Sequence, residues 1–255
     1  MGNLLHKIYG GLRIVQVCSD WPEWFHEYFT GVNDGSAACY RMRCGTRLHT
    51  RRNRVDFHMI DEIWAYRKYD YFGYRVRPGD IVVDIGGNIG AFAIYAAAVC
   101  RASRVLVFEP FPENFSMLIR NVEENRLRAV TCINEAVSGA RGRMPFSVHP
   151  TDPGGHSLGT RPEFGMVIEV QCCTLGDVFE RFGLDVVDYL KIDCEGAEYD
   201  ILNASAAPLL KRVRRISMEY HKRPFCGPSQ LETLLRENGF EVRRFHPLLY
   251  ATNLQ

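Results

Sequence analysis

The sequence VVDIGGNIG, residues 82–90, decides the fold. It begins with β-branched residues of strand length, turns at the adjacent glycines Gly86 and Gly87, and opens an apolar helical pattern over residues 91–100. Glycines let the backbone approach a ligand closely, and the N–H groups at a helix start can bind a polar or anionic group. This stretch therefore predicts a strand, a turn and a helix that together bind a nucleotide-like cofactor.

Short apolar runs alternate with helical patterns along the rest of the chain. The strand-length runs are residues 81–85, 105–109, 130–137, 189–193 and 216–220, and the helical patterns are 91–100, 112–124, 175–181, 199–211 and 229–238. Strands separated by helices imply parallel βαβ units, and continuously apolar strands imply a sheet covered on both faces. We predict an α/β fold with a doubly wound, Rossmann-like sheet, in which residues 240–245 and 248–253 form an antiparallel hairpin at the edge.

The N-terminal region follows a different pattern. A short aromatic helical pattern, a hairpin-like alternation around Gly45 and a second helical pattern over residues 56–69 precede the alternating region. A segment of this length buries little apolar surface by itself. We therefore predict that residues 1–78 are a helical and hairpin cover that belongs to the same domain as the cofactor-binding residues 79–255.

Composition and charge bound the class of protein. The chain has 255 residues, 46% hydrophobic, with a formal net charge of +1, so it is neither disordered nor surrounded by a field that recruits nucleic acid or membrane. Its nine cysteines are scattered, without the spacing of a zinc site, which is typical of a reduced compartment. The longest apolar run, residues 89–100, is too short to span a bilayer. We expect a soluble, cytoplasmic protein without a signal peptide.

The spacing of the glycine turn separates two cofactor classes. The dinucleotide pattern is G-x-G-x-x-G/A, whereas this chain reads G-x-N-x-G from Gly86 to Gly90, with Asn88 in the middle and Asp84 before the turn. An acid before the turn suits a cationic sulfonium better than a pyrophosphate. The turn, formed by Asp84, Gly86, Gly87, Asn88 and Gly90, therefore favours S-adenosylmethionine over NAD.

The ends of the next two strands predict the adenosine site. Glu109, followed by Pro110, ends the second strand, where a carboxylate can accept both ribose hydroxyls. The third strand ends at Asn134, Glu135 and Ala136, where a polar side chain and a backbone N–H can read the adenine edge. We assign Glu109, Pro110, Glu135 and Ala136 to the cofactor.

Four stretches together resemble one known family. They are VVDIGGNIGAFAIYAA (82–97), FEPFPENF (108–115), YLKIDCEGAEYDIL (189–202) and ISMEYH (216–221), with TRRNRVDFHMIDEIW (50–64) before them. The chain resembles the FkbM-type S-adenosylmethionine-dependent methyltransferases over about residues 47–253, and K-I-D-x-E-G-A-E is the most specific segment. The resemblance implies a class I methyltransferase fold of seven strands, one of them antiparallel. It also implies O-methylation of a hydroxyl on a sugar or other natural product.

A hydroxyl is a poor nucleophile until its proton is removed, so we looked for a base at the strand ends. Asp193 and Glu195 end the fourth strand at the crevice where ligands of this fold bind, and His221 closes the fifth. These three are the candidate catalytic residues. A magnesium or calcium ion held by Asp193, Glu195 and Glu219 is conceivable, because carboxylate oxygens suit these ions, but we do not expect one. Lys191, inside its strand, is predicted to pair with a carboxylate.

The irregular segment HPTDPGGHSLGTRPEFG, residues 149–165, predicts a binding loop or lid. His156 within it is a weaker candidate base than His221. Loops of this kind determine which acceptor binds to a shared scaffold, so the short motifs do not identify the acceptor.

Three other functions compete with O-methylation of a small molecule. One is N-methylation of an amine, another is a binding module that keeps a cofactor pocket without chemistry, and the third is an RNA methyltransferase. The RNA hypothesis would use the arginine-rich stretch Arg41, Arg43, Arg47, Arg51, Arg52 and Arg54. We favour an edge hairpin kept soluble by its charges. We expect a small-molecule acceptor, with neither membrane nor nucleic acid as partner, and leave homo-oligomerisation open.

Overall fold

The computed structural model describes residues 2–70, 73–205, 207–221, 223 and 226–254, the side chains of residues 2–9 and 54 excepted. The helices are α1 Gly2–Val17, α2 Trp21–Thr30, α3 Arg54–Ile60, α4 Ala91–Ile94, α5 Pro112–Glu124, α6 Leu175–Arg181, α7 Glu198–Ala204, α8 Ala207–Leu210 and α9 Pro228–Glu237. Short π-helical segments, Asp61–Ala65 and Tyr95–Val99, continue α3 and α4. The strands are β1 Ala37–Arg41, β2 Arg47–Arg51, β3 Ile81–Ile85, β4 Arg104–Phe108, β5 Val130–Ile133, β6 Ala136–Val137, β7 Gly142–Val148, β8 Ser157–Leu158, β9 Met166–Cys173, β10 Tyr189–Ile192, β11 Arg215–Glu219, β12 Phe240–Phe245 and β13 Leu248–Asn253.

The central sheet has seven strands in the order β12-β13-β11-β10-β3-β4-β5. β5, β4, β3, β10 and β11 run parallel, and β13 is antiparallel to both of its neighbours. The predicted doubly wound sheet with an antiparallel C-terminal strand is therefore confirmed. The predicted hairpin also forms, but only β12 lies at the edge, because β13 inserts between β12 and β11.

Alternate residues of β3 point to opposite faces of the sheet, as the two-residue period of a strand requires. Val82 packs in one hydrophobic cluster with Ile89 of the glycine turn. Val83 packs in another with Val178 of α6 and Leu235 of α9. Both faces of the sheet are covered, which explains why its strands are almost continuously apolar.

The N-terminal cover shares a core with the sheet. Ile14, Trp24, Tyr40 and Phe57 belong to the same buried cluster as Val82. The β1–β2 hairpin is tied to α5, where the amide of Asn121 accepts from the backbone N–H of His49 at 2.7 Å and donates to its carbonyl at 2.9 Å. We infer from this shared core that residues 1–78 belong to one domain with residues 79–255.

A second sheet, β6-β9-β7-β8, corrects the strand predicted over residues 130–137. That run divides at Asn134 and Glu135, since the Asn134 amide donates to the carbonyls of Glu109 at 2.9 Å and Pro110 at 3.1 Å and the chain leaves the central sheet. β7 and β9 form a long antiparallel pair, with β8 between them in the chain, that the sequence did not predict. β7 contains Gly142 and Pro145, which weaken a strand pattern. The residues in its first half are alternately half-buried and exposed.

In the part of the chain that the structure describes, no helix has the length and apolarity needed to cross a membrane. None of the nine cysteines forms a disulfide.

Candidate functional site

A cavity of about 360 Å³ opens at the carboxyl ends of the central strands β3, β4 and β10. This is the end of an open α/β sheet where ligands bind, and the volume is within the range of small-molecule sites. The predicted residues that line it are Gly86, Gly87, Asn88, Glu109, Pro110, Ala136, Asp193 and Glu195. Four others, Asp84, Gly90, Glu135 and His221, lie outside its wall.

The glycine turn is wedged between two neighbouring strand ends. The N–H groups of Gly86 and Gly87 both donate to the carbonyl of Phe108, at 3.0 and 2.9 Å. A Cβ atom on Gly86, whose φ is +81°, would overlap the carbonyl oxygen of Asp193, and one on Gly87 would overlap the side chain of Val107. Packing as well as backbone conformation therefore requires glycine at Gly86.

Asp84 and Gly90 do not line the cavity, and their contacts hold the turn in place instead. Asp84 is fully buried, and Lys191 lies between it and the turn, 3.1 Å from its carboxylate and donating to the Gly86 carbonyl at 2.6 Å. Burial raises the pKa of Asp84, and Lys191 opposes that shift. The predicted pairing of Lys191 with a carboxylate is confirmed. Gly90 starts α4 at φ +89° and has no room for a Cβ beside Leu118.

Glu109 faces the cavity with both oxygens anchored. One accepts from the backbone N–H of Asn88 at 2.8 Å and the other from that of Phe111 at 2.9 Å. Burial raises the pKa of Glu109 to about 7, and these two N–H groups limit the shift. Each oxygen keeps lone-pair capacity, so the group can accept two further hydrogen bonds from a vicinal diol.

Glu135 does not line the cavity. Its carboxylate pairs with Arg181 of α6 at 2.6 Å, in a separate surface depression that also contains Arg141 and Asp177. The division of the predicted strand at this point aims the Glu135 side chain at α6, whereas the next residue, Ala136, does line the cavity.

The segment predicted as a binding loop does border the cavity. Asp152, Pro153, Gly154, His156 and Leu158 line it, and the Asn114 amide holds the loop by donating to the Pro153 carbonyl at 2.9 Å. The segment is not wholly irregular, because it contains β8 and a 3₁₀ turn at Pro162–Phe164.

Two buried polar atoms of the wall have no hydrogen-bond partner among the described residues. They are Asn88 Oδ1 and His156 Nε2. Buried polar groups are nearly always satisfied, and an orphaned one costs about 1–3 kcal/mol. Both atoms therefore point to a ligand with complementary polar groups.

Two residues at the opposite end of the cavity come from the N-terminal cover and were missed in the sequence. The Tyr69 hydroxyl donates to Asp193 at 2.6 Å, and the Lys68 ammonium lies 2.6 Å from Glu219. Burial favours the neutral form of Asp193, but Lys191, Lys68 and His221 outweigh it and hold its pKa below the usual value. Nothing distinguishes Lys68 and Tyr69 from the other charged and aromatic residues around them, so no sequence signal marks them.

His221 lies behind Glu195 and is held by carboxylates on both sides. Its Nδ1 is 2.7 Å from Glu198, and its Nε2 is 3.3 Å from Glu195 and 4.0 Å from Asp193. Burial lowers the pKa of His221, but hydrogen bonds to Glu195 and Glu198 outweigh burial and raise the pKa to about 11. The ring is an imidazolium at neutral pH, so it is not available as the neutral base that the sequence suggested.

Asp193, Glu219 and His221 also offer ligand atoms within 4.8 Å of one another, close enough to hold a metal ion. The local charge disfavours one, since Lys68 already neutralises Glu219 and His221 carries a proton. A divalent ion would have to displace that proton and compete with the lysine.

The arginine-rich hairpin is locally neutralised. Arg41 pairs with Asp20, Arg47 with Glu124, Arg51 with Asp56 and Arg52 with Glu23, all within 3.0 Å. Arg43 donates to the carbonyl of Val15 at 2.8 Å. The side chain of Arg54 lies outside the described residues. These pairs fit a charged edge hairpin better than a basic surface for RNA.

A seven-stranded sheet of this order, with its cavity at the carboxyl ends of the strands, is that of the Rossmann-like methyltransferases. Residues 84–242 match the model of the methyltransferase FkbM domain, and the chain belongs to this family. The resemblance seen in the sequence motifs is thereby confirmed.

The names of similar proteins agree with the assignment of this chain to the FkbM family. The 31-O-demethyl-FK506 methyltransferase FkbM of Streptomyces tacrolimicus is 29% identical over 235 residues, which cover 81% of this chain and 89% of that protein. Methyltransferase sdnD of Sordaria araneosa is 28% identical over 213 residues, which cover 72% and 81%. The crystal structure of methyltransferase FkbM from Methylobacillus flagellatus shares the fold, with a TM-score of 0.50 and 15% identity over 76% of this chain and 53% of that one.

Proposed function

We propose that the protein is an S-adenosylmethionine-dependent methyltransferase that methylates a hydroxyl of a small molecule, a sugar or natural product. The observation that carries the proposal is one cavity with two unlike ends. One end has a close-packed glycine turn and the anchored carboxylate Glu109, and the other has Asp193 and Glu195. The relative named 31-O-demethyl-FK506 methyltransferase supports oxygen as the acceptor atom.

The cavity residues fit this cofactor. Glu109 can accept the two ribose hydroxyls, and Asn88 Oδ1 and His156 Nε2 have no hydrogen-bond partner among the described residues. When bound, S-adenosylmethionine would supply an electrophilic methyl group on a sulfonium. The chain's residues would then hold the acceptor oxygen in line with that methyl, an alignment worth several kcal/mol of the barrier.

At the acceptor end we assign proton removal to Glu195. It lines the cavity, and burial raises its pKa despite the neighbouring His221, so it is a stronger base than an exposed carboxylate. His221 is a positioning residue: its Nε2 holds Glu195 in place. Glu198 in turn holds the His221 ring through Nδ1. Asp193, fixed by the Tyr69 hydroxyl, stays ionised and can orient the acceptor hydroxyl.

N-methylation of an amine is the second candidate. Four carboxylates line this end: Glu62, Asp193, Glu195 and Glu219. Among the described lining residues, only the ammonium groups of Lys68 and Lys191 offset their negative charge. This excess of carboxylates would attract an ammonium group. An amine needs only to arrive deprotonated, so removal of Glu195 should matter much less for an amine than for a hydroxyl.

We further infer a cytoplasmic location, supported by nine cysteines without a disulfide. We also infer that catalysis needs no divalent ion, because Lys68 already pairs with Glu219 and a protonated His221 cannot donate a lone pair to a metal.

Calorimetric titration with S-adenosylhomocysteine, with NAD as the comparison ligand, tests the cofactor without an acceptor. We expect micromolar binding of S-adenosylhomocysteine, no binding of NAD, and loss of binding in Glu109→Ala. Glu135→Ala is the matched control, since that glutamate follows the next strand but lies outside the cavity, and it should bind as the parent does. Absence of binding, or binding of NAD instead, would overturn the proposal.

A further inference from the structure

The end of the cavity beyond Glu109 is an apolar slot with one polar ring in its wall. The apolar lining residues are Phe108, Pro110, Ala136, Val137, Phe146 and Leu158. His156 lies among them and is 8% exposed. Its Nε2 has no partner among the described residues, although the ring borders the space that a ligand would fill.

The hydrogen bond on the other side of the ring fixes what His156 can offer. Its Nδ1 accepts from the backbone N–H of His149 at 2.9 Å, so in the neutral ring the proton is on Nε2. Burial lowers the pKa of His156 to about 4, which keeps the ring neutral at physiological pH. The unpartnered ring atom of this cavity-lining residue is therefore a single N–H donor.

Packing holds this donor in place. The ring centroid of His156 is 4.2 Å from that of Phe111 and 6.0 Å from that of Phe146. The β8 strand, which begins at the next residue, pairs with β7 and ties this part of the loop to the second sheet. A donor that cannot turn away can discriminate between ligands that accept at its position and ligands that do not.

We propose that His156 selects the base of the cofactor by donating its Nε2–H to one ring nitrogen of adenine. The inference rests on the proposed function, since it requires an adenosyl ligand with its ribose at Glu109. A planar base can pack against the apolar lining residues, and each of the adenine nitrogens N1, N3 and N7 is an acceptor. The sequence analysis assigned the adenine edge to the segment ending at Ala136, and His156, next to β8 of the same second sheet, adds a side-chain donor.

Deaza analogues of S-adenosylhomocysteine test the hydrogen bond directly. Replacement of N1, N3 or N7 by C–H removes one acceptor at a time and leaves the shape of the base unchanged. We expect the parent protein to bind one of the three analogues about tenfold more weakly than S-adenosylhomocysteine, equivalent to about 1.4 kcal/mol for one hydrogen bond. This part of the experiment needs no variant.

His156→Phe keeps a flat ring but removes the donor. It should bind S-adenosylhomocysteine about tenfold more weakly and bind the discriminated analogue with the same affinity as S-adenosylhomocysteine. His156→Gln, whose side-chain amide places a donor near the former Nε2, should recover part of the discrimination. His26→Phe is the control, because His26 is exposed on α2 and does not line the cavity.

The outcomes separate the two proposals. If S-adenosylhomocysteine does not bind the parent at all, the proposed function fails. If it binds but the parent holds all three analogues equally well, His156 does not read a ring nitrogen. Discrimination that persists unchanged in His156→Phe would also overturn the inference, because another group would then be the donor.

Discussion

The two ends of the cavity are built by different means. At the turn, the close fit of Gly86 between strands and the backbone N–H groups that anchor Glu109 come from contiguous motifs. At the acceptor end, the arrangement depends on charges from separate segments, such as Lys68 from the cover and His221 after β11. Short motifs specify the first kind of site, whereas the second depends on how distant segments pack.

The strongest test of this contrast is the fit at Gly86. Gly86→Ala introduces a Cβ atom that overlaps the Asp193 carbonyl oxygen. It also places a non-glycine residue at φ +81°. Gly79→Ala has nearly the same φ, +88°, with no atom within 4 Å of the added Cβ. A non-glycine residue in this region costs about 1 kcal/mol, and overpacking adds about 1–3 kcal/mol.

Urea denaturation should therefore show a loss of roughly 3 kcal/mol in the free energy of unfolding for Gly86→Ala and about 1 kcal/mol for Gly79→Ala. Equal losses would mean that backbone conformation alone explains the glycine, and that the close approach of β10 to the turn contributes nothing.

The next largest effect is expected at the acceptor end. Glu195→Gln removes the proposed proton acceptor but keeps the side-chain shape, and loss of a general base typically slows a reaction by about 10²-fold or more. The measurement is transfer of radiolabelled methyl to a panel of sugars and hydroxylated natural products. We expect the rate to fall about 100-fold for any hydroxyl acceptor the parent uses, while S-adenosylhomocysteine binds normally.

A rate within about threefold of the parent would contradict Glu195 as the base and would favour an amine acceptor. Addition of EDTA to the parent in the same assay should leave the rate unchanged. Loss of activity with EDTA and recovery with Mg²⁺ would show that Asp193, Glu219 and His221 hold a metal after all.

What the sequence could predict follows the same division. The parallel strands of the central sheet, the turn at Gly86 and the place of Glu109 followed from local patterns, because each depends on residues close in the chain. The direction of the Glu135 side chain could not be predicted, since it depends on where the chain leaves the sheet and on Arg181 forty-six residues away. Lys68 and Tyr69 reach the site only through the packing of the cover, which no local pattern records.

The charge of His221 offers a smaller effect that needs no acceptor. With Glu195 and Glu198 beside it, the pKa of His221 is raised to about 11, so its ring should remain doubly protonated at pH 9. Glu198→Gln removes a carboxylate at a contact of 2.7 Å and should lower the pKa of His221. Nitrogen-15 NMR of labelled histidine follows the ring directly, and Asp200→Asn, a change on the same helix that pairs with Arg223 instead, is the control. A His221 that titrates near pH 6.5 in the parent would show that the carboxylates do not hold the imidazolium.

The smallest expected effect lies at the turn end and concerns the charge of Glu109. Burial raises its pKa to about 7, so the carboxylate is mostly protonated below that pH and ionised above it. Hydroxyls of a ribose need the ionised form as acceptor, and affinity for S-adenosylhomocysteine should therefore rise about tenfold between pH 6 and pH 8. Glu109→Gln binds more weakly but cannot titrate, so its affinity should be flat over this range. A pH dependence that survives in Glu109→Gln would come from another group, and the turn end would then depend on side-chain charge as much as the acceptor end does.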